Sequence, residues 1–335
     1  MENNNYSTKA IVEAFLTSVI IAIIMILTSY LPILSFIGTL ILPIPVTILY
    51  IRHNKKVTIT AIVLSIILTA IVFNPIMAIY ASIPCIVIGI VLGYCVKENK
   101  KSSTSLFFLI IACSISNILT ITYSLSFIVR VNLLEFISRF VGVMKQSMKS
   151  SIDAAKNVYL QNGMTPDQLK FLDKSYQMIN KLDVALFLAL IPAGIFIFSL
   201  VSAYLNYIVA RLILNRLNYK MEKVLPFSKF CVSNIIGAVL IGMVCIGIIL
   251  ASKKIIGGNF LRDSSQLLMQ NVFIINGIAA STYFLRVKRK LSKPIVLLIL
   301  GITVISPLSN IYFTIGLMEM AFDFRKLDPY RIKRK

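Results

Sequence analysis

Apolar residues in this chain come in long runs separated by short polar loops. A helix needs about 20 mostly apolar residues to span a bilayer, and the chain offers many windows of that kind. The first run covers 8–29 and stops at Tyr30-Leu31-Pro32. The second reaches residue 51 and is followed by Arg52-His53-Asn54-Lys55-Lys56. The third covers 57–73 and turns at Asn74-Pro75, the fourth covers 76–96, and the fifth covers 104–128. The sixth, seventh and eighth cover 183–210, 231–251 and 266–285. A last apolar stretch, 294–322, is interrupted at its centre by Ser306-Pro307-Leu308-Ser309-Asn310.

Between 129 and 182 the pattern changes, and charges of both signs become frequent. Leu133, Ile137, Phe140, Met144, Met148, Ala155 and Tyr159 fall near one face of a helix. Gly163 is placed to end that helix. Thr165-Pro166-Asp167-Gln168 then starts another, with Thr as N-cap, Pro in the first position and Gln three residues after the cap. The segment reads as an amphipathic helical hairpin outside the bilayer core or lying on its surface.

The expected fold is an all-α polytopic membrane protein. It has eight transmembrane helices, a C-terminal broken helix or short helical hairpin, and one amphipathic extracytoplasmic hairpin. Four segments follow: membrane helices one to five over 1–128, the hairpin over 129–182, the remaining membrane helices over 183–322, and a basic tail over 323–335. The polar N-terminus and the lack of a small-residue cleavage site after the first run mark that run as a retained helix.

Composition agrees. Hydrophobic residues make up 58% of the chain and charged ones 14%, more apolar surface than a soluble protein of this length keeps from water. The net charge of +21 points to cytoplasmic loops rather than to nucleic acid. Lys and Arg concentrate after runs two, four, six and eight, so the positive-inside rule puts the N-terminus in the cytoplasm. The loop after run seven, with Lys253, Lys254 and Arg262, is the exception. A bend near Pro307 returns the six basic residues of the tail to the cytoplasm as well. The five cysteines lie in or beside apolar runs without C-x-x-C spacing, which fits small packing residues.

Signatures of catalysis are missing. The chain has no phosphate-binding G-x-x-x-x-G-K-[ST], no G-x-S-x-G and no H-E-x-x-H, and its one histidine sits in a basic loop. No enzyme, cofactor or metal site is expected. Glu13, one turn into the first helix, is a costly intramembrane carboxylate, or pairs with Lys9 at the interface. Ala10 and Ala14 are spaced for close helix approach. The uncharged polar residues of runs five and eight and of the last stretch have two readings. They either make interhelical hydrogen bonds or line a pocket for a small solute. Asn117, Tyr123, Asn276 and Asn310 are the candidate lining residues. Glu319, Asp323 and Arg325, at the end of the last helix, are expected to pair with one another or with basic loops.

Several stretches together resemble the YybS-like family of Gram-positive membrane proteins. They are Ala10-Ile11-Val12-Glu13-Ala14 with Tyr30-Leu31-Pro32 and Pro43-Ile44-Pro45, then Gly89-x-x-x-Gly93-Tyr94, and Ile191-Pro192-Ala193 with Tyr204-Leu205-Asn206-Tyr207 and Ala210-Arg211. The most specific is the ending Gly316-Leu317-Met318-Glu319-Met320-Ala321-Phe322-Asp323-Phe324-Arg325-Lys326-Leu327. That family is distantly similar to the S components of energy-coupling factor transporters, which capture small solutes and are moved by a coupling subunit and two ATPases. The resemblance implies a substrate-capturing module without its own ATPase. It also implies that Ala10 and Ala14, with Glu13, contact a transmembrane coupling subunit. Greater length, extra C-terminal helices and the inserted hairpin depart from the S-component pattern. The competing expectation is a membrane scaffold whose basic loops bind protein or anionic lipid.

Overall fold

A computed structural model describes residues 8–161, 163, 165–305 and 309–327. Among them every regular element is helical. The α-helices are α1 (Thr8–Tyr30), α2 (Pro32–Ile41), α3 (Pro43–Arg52), α4 (Lys55–Val72), α5 (Pro75–Lys97), α6 (Ser102–Tyr123), α7 (Leu133–Gln161), α8 (Pro166–Asn180), α9 (Val184–Arg216), α10 (Asn234–Ser252), α11 (Gly258–Tyr283), α12 (Lys293–Ile305) and α13 (Ser309–Phe322). Short π-helical turns extend α6 to Val129 and α11 to Lys288.

Among the described residues, seven helices are long and apolar enough to cross a membrane. They correspond to runs one and three to eight. Run two instead forms two ten-residue helices, α2 and α3, that meet at Leu42-Pro43. Pro43 and Pro45 lack the amide donors a continuous helix needs. Side chains stitch this break to its surroundings, since irregular backbone is tolerated in lipid only where protein satisfies it. Cys85 Sγ donates to Leu42 O at 3.4 Å. The Thr47 hydroxyl lies between the carbonyls of Pro43 and Gly89, at 2.9 and 3.0 Å.

The chain divides into two compact units. Unit 1 comprises 1–130 with 195–227, and unit 2 comprises 131–194 with 228–335. The division falls inside α9.

In unit 1, α1 buries its small side, Ala10, Ala14, Ser18 and Ala22 with Ile21 and Met25. It turns Ile11, Phe15, Leu16, Ile20 and Ile23 outward. That inverts the arrangement of a soluble helix. Lipid is as apolar as leucine, so helix association relies on close packing of small residues. The same logic holds on α5. A Cβ on Gly89 would lie 2.8 Å from Val46 and one on Gly93 2.8 Å from Tyr50, so α3 packs directly on the α5 backbone. The second part of α9 closes the unit, with Ala203, Tyr207, Ala210 and Leu214 packed against Leu92, Leu109 and Cys113.

In unit 2, α10 and α11 run antiparallel in close contact. A Cβ on Gly247 would lie 2.6 Å from the Arg262 backbone and one on Gly258 2.6 Å from that of Ala251. The expected amphipathic hairpin is α7 with α8. Its capping box forms as the sequence predicts: Gln168 N donates to Thr165 Oγ1, and Thr165 N to Gln168 Oε1. Gly163, at φ +78°, adopts the left-handed conformation that ends helices. The packed face of α7 is Ile137, Val141, Met144, Ile152, Ala155 and Tyr159. Leu133, Phe140 and Met148, expected on that face, are instead 38%, 52% and 40% exposed, and the Phe140 ring lies 5.8 Å from that of Phe187. The bend expected at Pro307 and the basic tail from 328 onward lie outside the described residues. The apolar stretch around that bend forms two helices of 13 and 14 residues, α12 and α13.

Candidate functional site

The most unusual chemistry lies in unit 2, where α13 ends. Asp323, at φ +48°, reverses the chain after Phe322, and its amide caps Glu319 O at 2.8 Å. The turn drives Arg325 back into the protein, where its side chain is 0% exposed. All three nitrogens of its guanidinium donate hydrogen bonds. Nε donates to Glu319 Oε1 at 2.7 Å, Nη1 to Ser228 O and Phe230 O at 2.9 and 2.8 Å, and Nη2 to Asn276 Oδ1 at 3.3 Å.

Asn276 on α11 is the second hub and is 0% exposed. Its amide donates to Gly316 O at 2.8 Å, and its oxygen also accepts from Val232 N at 3.3 Å. One buried amide thus ties α11 to α13, to the approach to α10 and to Arg325. Buried polar groups in an apolar setting require this degree of satisfaction.

Glu319 departs from this, as do the buried hydroxyls of Thr120 and Ser264. Its Oε1 accepts from Arg325 Nε and from Arg325 N, the latter at 3.3 Å. Its Oε2 is buried and has no hydrogen-bond partner. A buried acceptor left unmatched costs about 1–3 kcal/mol, more when charged. Glu319 also forms part of the wall of a cavity of about 540 Å³ between the ends of α11, α12 and α13. Phe284, Leu285, Ile315, Met318 and Phe324 supply apolar wall, and the hydroxyls of Thr303 and Tyr312 bond to each other. An apolar cavity with a carboxylate residue in its wall suits a largely apolar molecule that carries an N–H or O–H donor.

The profile of the family described as "Predicted membrane protein (DUF2232)" matches residues 19–320. The chain belongs to the DUF2232 family. No curated protein and no solved structure matches it. The DUF2232 match runs through α11 and α12 and ends on α13 one residue past Glu319.

The residues expected to line a pocket are distributed over both units of this DUF2232 protein. Asn117 and Tyr123 belong to unit 1. Asn117 donates to Ser199 Oγ at 2.9 Å, joining α6 to α9, and the Tyr123 hydroxyl donates to Ile76 O at 3.1 Å. Asn276 and Asn310 belong to unit 2, where Asn310 is exposed. None of the four is among the residues lining the 540 Å³ cavity. Asn117, Tyr123 and Asn276 each make a side-chain hydrogen bond to another segment of the chain.

Ala10 and Ala14 are 7% and 8% exposed and pack against Leu49, Val57 and Ala61. Their spacing serves contact within the chain. Glu13 pairs with His53 Nε2 at 2.8 Å and lies 3.8 Å from Arg52 Nη1, rather than pairing with Lys9. Among the described residues no group of three or more His, Cys, Asp or Glu is arranged to hold a metal ion. Sequence reasoning joined Glu319 to Arg325 but missed the cavity. Six residues separate the pair, whereas the cavity needs walls from three helices.

Proposed function

We propose that this DUF2232 protein is a membrane-embedded capture module. It holds a small, mostly apolar molecule in the cavity between α11, α12 and α13, with a donor group of that molecule on Glu319 Oε2. The observation that carries this reading is an apolar cavity with Glu319 in its wall, a residue whose Oε2 is buried and has no hydrogen-bond partner. The absence of a phosphate-binding loop and the resemblance to S components support a module that relies on a separate coupling subunit and ATPases. With Ala10 and Ala14 already packed, the outward face of α1, with Ile11, Phe15 and Ile20, is the surface left for such a partner.

The topology proposed with it has both termini in the cytoplasm, α7 and α8 outside, and α12 with α13 as a re-entrant hairpin. Loop charge supports it. α12 and α13, at 13 and 14 residues, are short for full spans by the measure of about 20 residues. The second reading is a scaffold that engages protein or anionic lipid through its basic loops. The observation favouring it is the density of Lys and Arg in those loops.

Native mass spectrometry of the full-length protein extracted from membranes separates the two. Capture predicts a retained small molecule in the wild type. It predicts loss of that molecule in Met318→Trp, which fills the cavity from a partly exposed position, and in Glu319→Gln. Equal spectra for wild type and Met318→Trp would leave the scaffold reading in place.

A further inference from the structure

Unit 1 contains a second cavity, of about 620 Å³, between the α5–α6 loop and the segment that follows α9. Its floor includes the buried Cys95 and Tyr207. Its rim is built by the segment 217–222, which is tied down at several points. Tyr219 N donates to Leu214 O at 2.9 Å, Met221 N to Asn215 Oδ1 at 2.9 Å, and Arg211 Nε to Met221 O at 3.4 Å. The Tyr207 hydroxyl donates to Glu222 O at 2.9 Å, and the Tyr219 hydroxyl accepts from Arg52 Nε at 3.1 Å. A solvated loop does not require so many anchors, and here they hold the rim in one shape.

That rim carries unspent donors. The side chains of Asn99, Asn218 and Lys220 have no hydrogen bond or ion pair to any described residue. Lys100 makes only a cation–π contact, its Nζ 5.7 Å from the Tyr94 ring centroid. The lining also holds one carboxylate, Glu222, whose Oε2 accepts from Ser102 N at 3.0 Å, at the first turn of α6. The two segments that frame the cavity, 97–101 and 211–223, hold seven basic residues against two acidic ones. Two ammonium groups and two amides around an open cavity, in segments where basic residues outnumber acidic ones seven to two, form an acceptor-seeking site.

We infer that this cavity binds a phosphate group borne on an organic body, with Lys100 and Lys220 as the charged ligands and Asn99 and Asn218 as neutral donors. The volume exceeds that of a bare phosphate, and the floor of Cys95, Val96 and Tyr207 suits the attached carbon portion. The phosphate comes either from a soluble phosphate ester or from an anionic lipid headgroup. This site lies in the other unit from the Glu319 cavity and takes a ligand of opposite demand, so it stands independently of the capture reading.

Two measurements on the full-length protein distinguish the sources. One is the thermal unfolding temperature in neutral detergent as glycerol 3-phosphate is titrated. The other is native mass spectrometry of phosphatidic acid retained from phosphatidylcholine nanodiscs that contain it. The test variant is Lys100→Gln/Lys220→Gln, and the charge-matched control is Lys253→Gln/Lys254→Gln in unit 2. A saturable upward shift with glycerol 3-phosphate, weakened about tenfold or more in affinity in the test variant only, identifies a soluble ester. Retention of phosphatidic acid lost in the test variant only, with no response to the ester, identifies a lipid. The inference is overturned if the test variant matches wild type in both measurements. It is also overturned if the control loses as much, since net charge alone would then explain the binding.

Discussion

The backbone of Gly277 in α11 touches the backbone of Gly316 in α13. A Cβ on Gly277 would lie 3.0 Å from Gly316 N, and one on Gly316 would lie 2.9 Å from Gly277 N. The neighbouring carbonyls are nearer still, with Tyr312 O and Phe273 O each 1.9 Å from those added carbons. Tyr312 faces Gly277 and Phe273 faces Gly316, so the two helices cross in opposite directions. The obstructing atoms are backbone and cannot rotate away. This crossing places Glu319 and the cavity wall.

Gly316→Ala should therefore destabilise the protein, by about 1–3 kcal/mol as for other overpacked sites. The sign is informative. In an unobstructed helix the same change stabilises by roughly 0.5–1 kcal/mol. Gly142 on α7, with nothing within 4 Å of an added Cβ, supplies that comparison. Thermal unfolding in detergent should show Gly316→Ala below wild type and Gly142→Ala at or above it.

The Arg325–Glu319 pair should behave as a buried ion pair. Arg325→Met strands a carboxylate and three backbone or amide acceptors, at a cost of about 3–5 kcal/mol. Arg325→Met/Glu319→Leu removes both charges and should recover part of that loss. A double variant less stable than Arg325→Met would show that Glu319 has a partner other than Arg325.

Ala14→Leu tests where the small face of α1 is used. Packed against Leu49, Val57 and Ala61, a leucine at 14 should lower the stability of the isolated chain by about 1–3 kcal/mol. If the face serves a coupling subunit instead, the isolated chain should be unaffected and only co-purification should suffer.

Topology is open to cysteine labelling in intact cells. Cys231 and Cys245 are exposed and must first be replaced by serine. A cysteine at Lys156 in α7 should then react with an impermeant thiol reagent, and one at Lys290 should not. The reverse pattern would invert the orientation drawn from loop charge.

Sequence pattern by itself determined the helices and most of their ends. Runs of apolar residues, the Asn74-Pro75 turn and the Thr165–Gln168 box are local signals. Each is complete within a few residues of chain. Tertiary structure decided which face of each helix is inside. In α1 the outward Ile11, Phe15 and Ile20 are as apolar as the inward Ile21 and Met25, because lipid and protein interior demand the same chemistry. Periodicity therefore carried little information about burial, except in the polar hairpin α7–α8, where it found most of the packed face. The break of run two is written locally in Pro43 and Pro45, but the approach of Gly277 to Gly316 and the burial of Arg325 against Asn276 depend on partners tens of residues away. No local pattern encodes that proximity, and the Glu319 cavity exists only once three helices have supplied its walls.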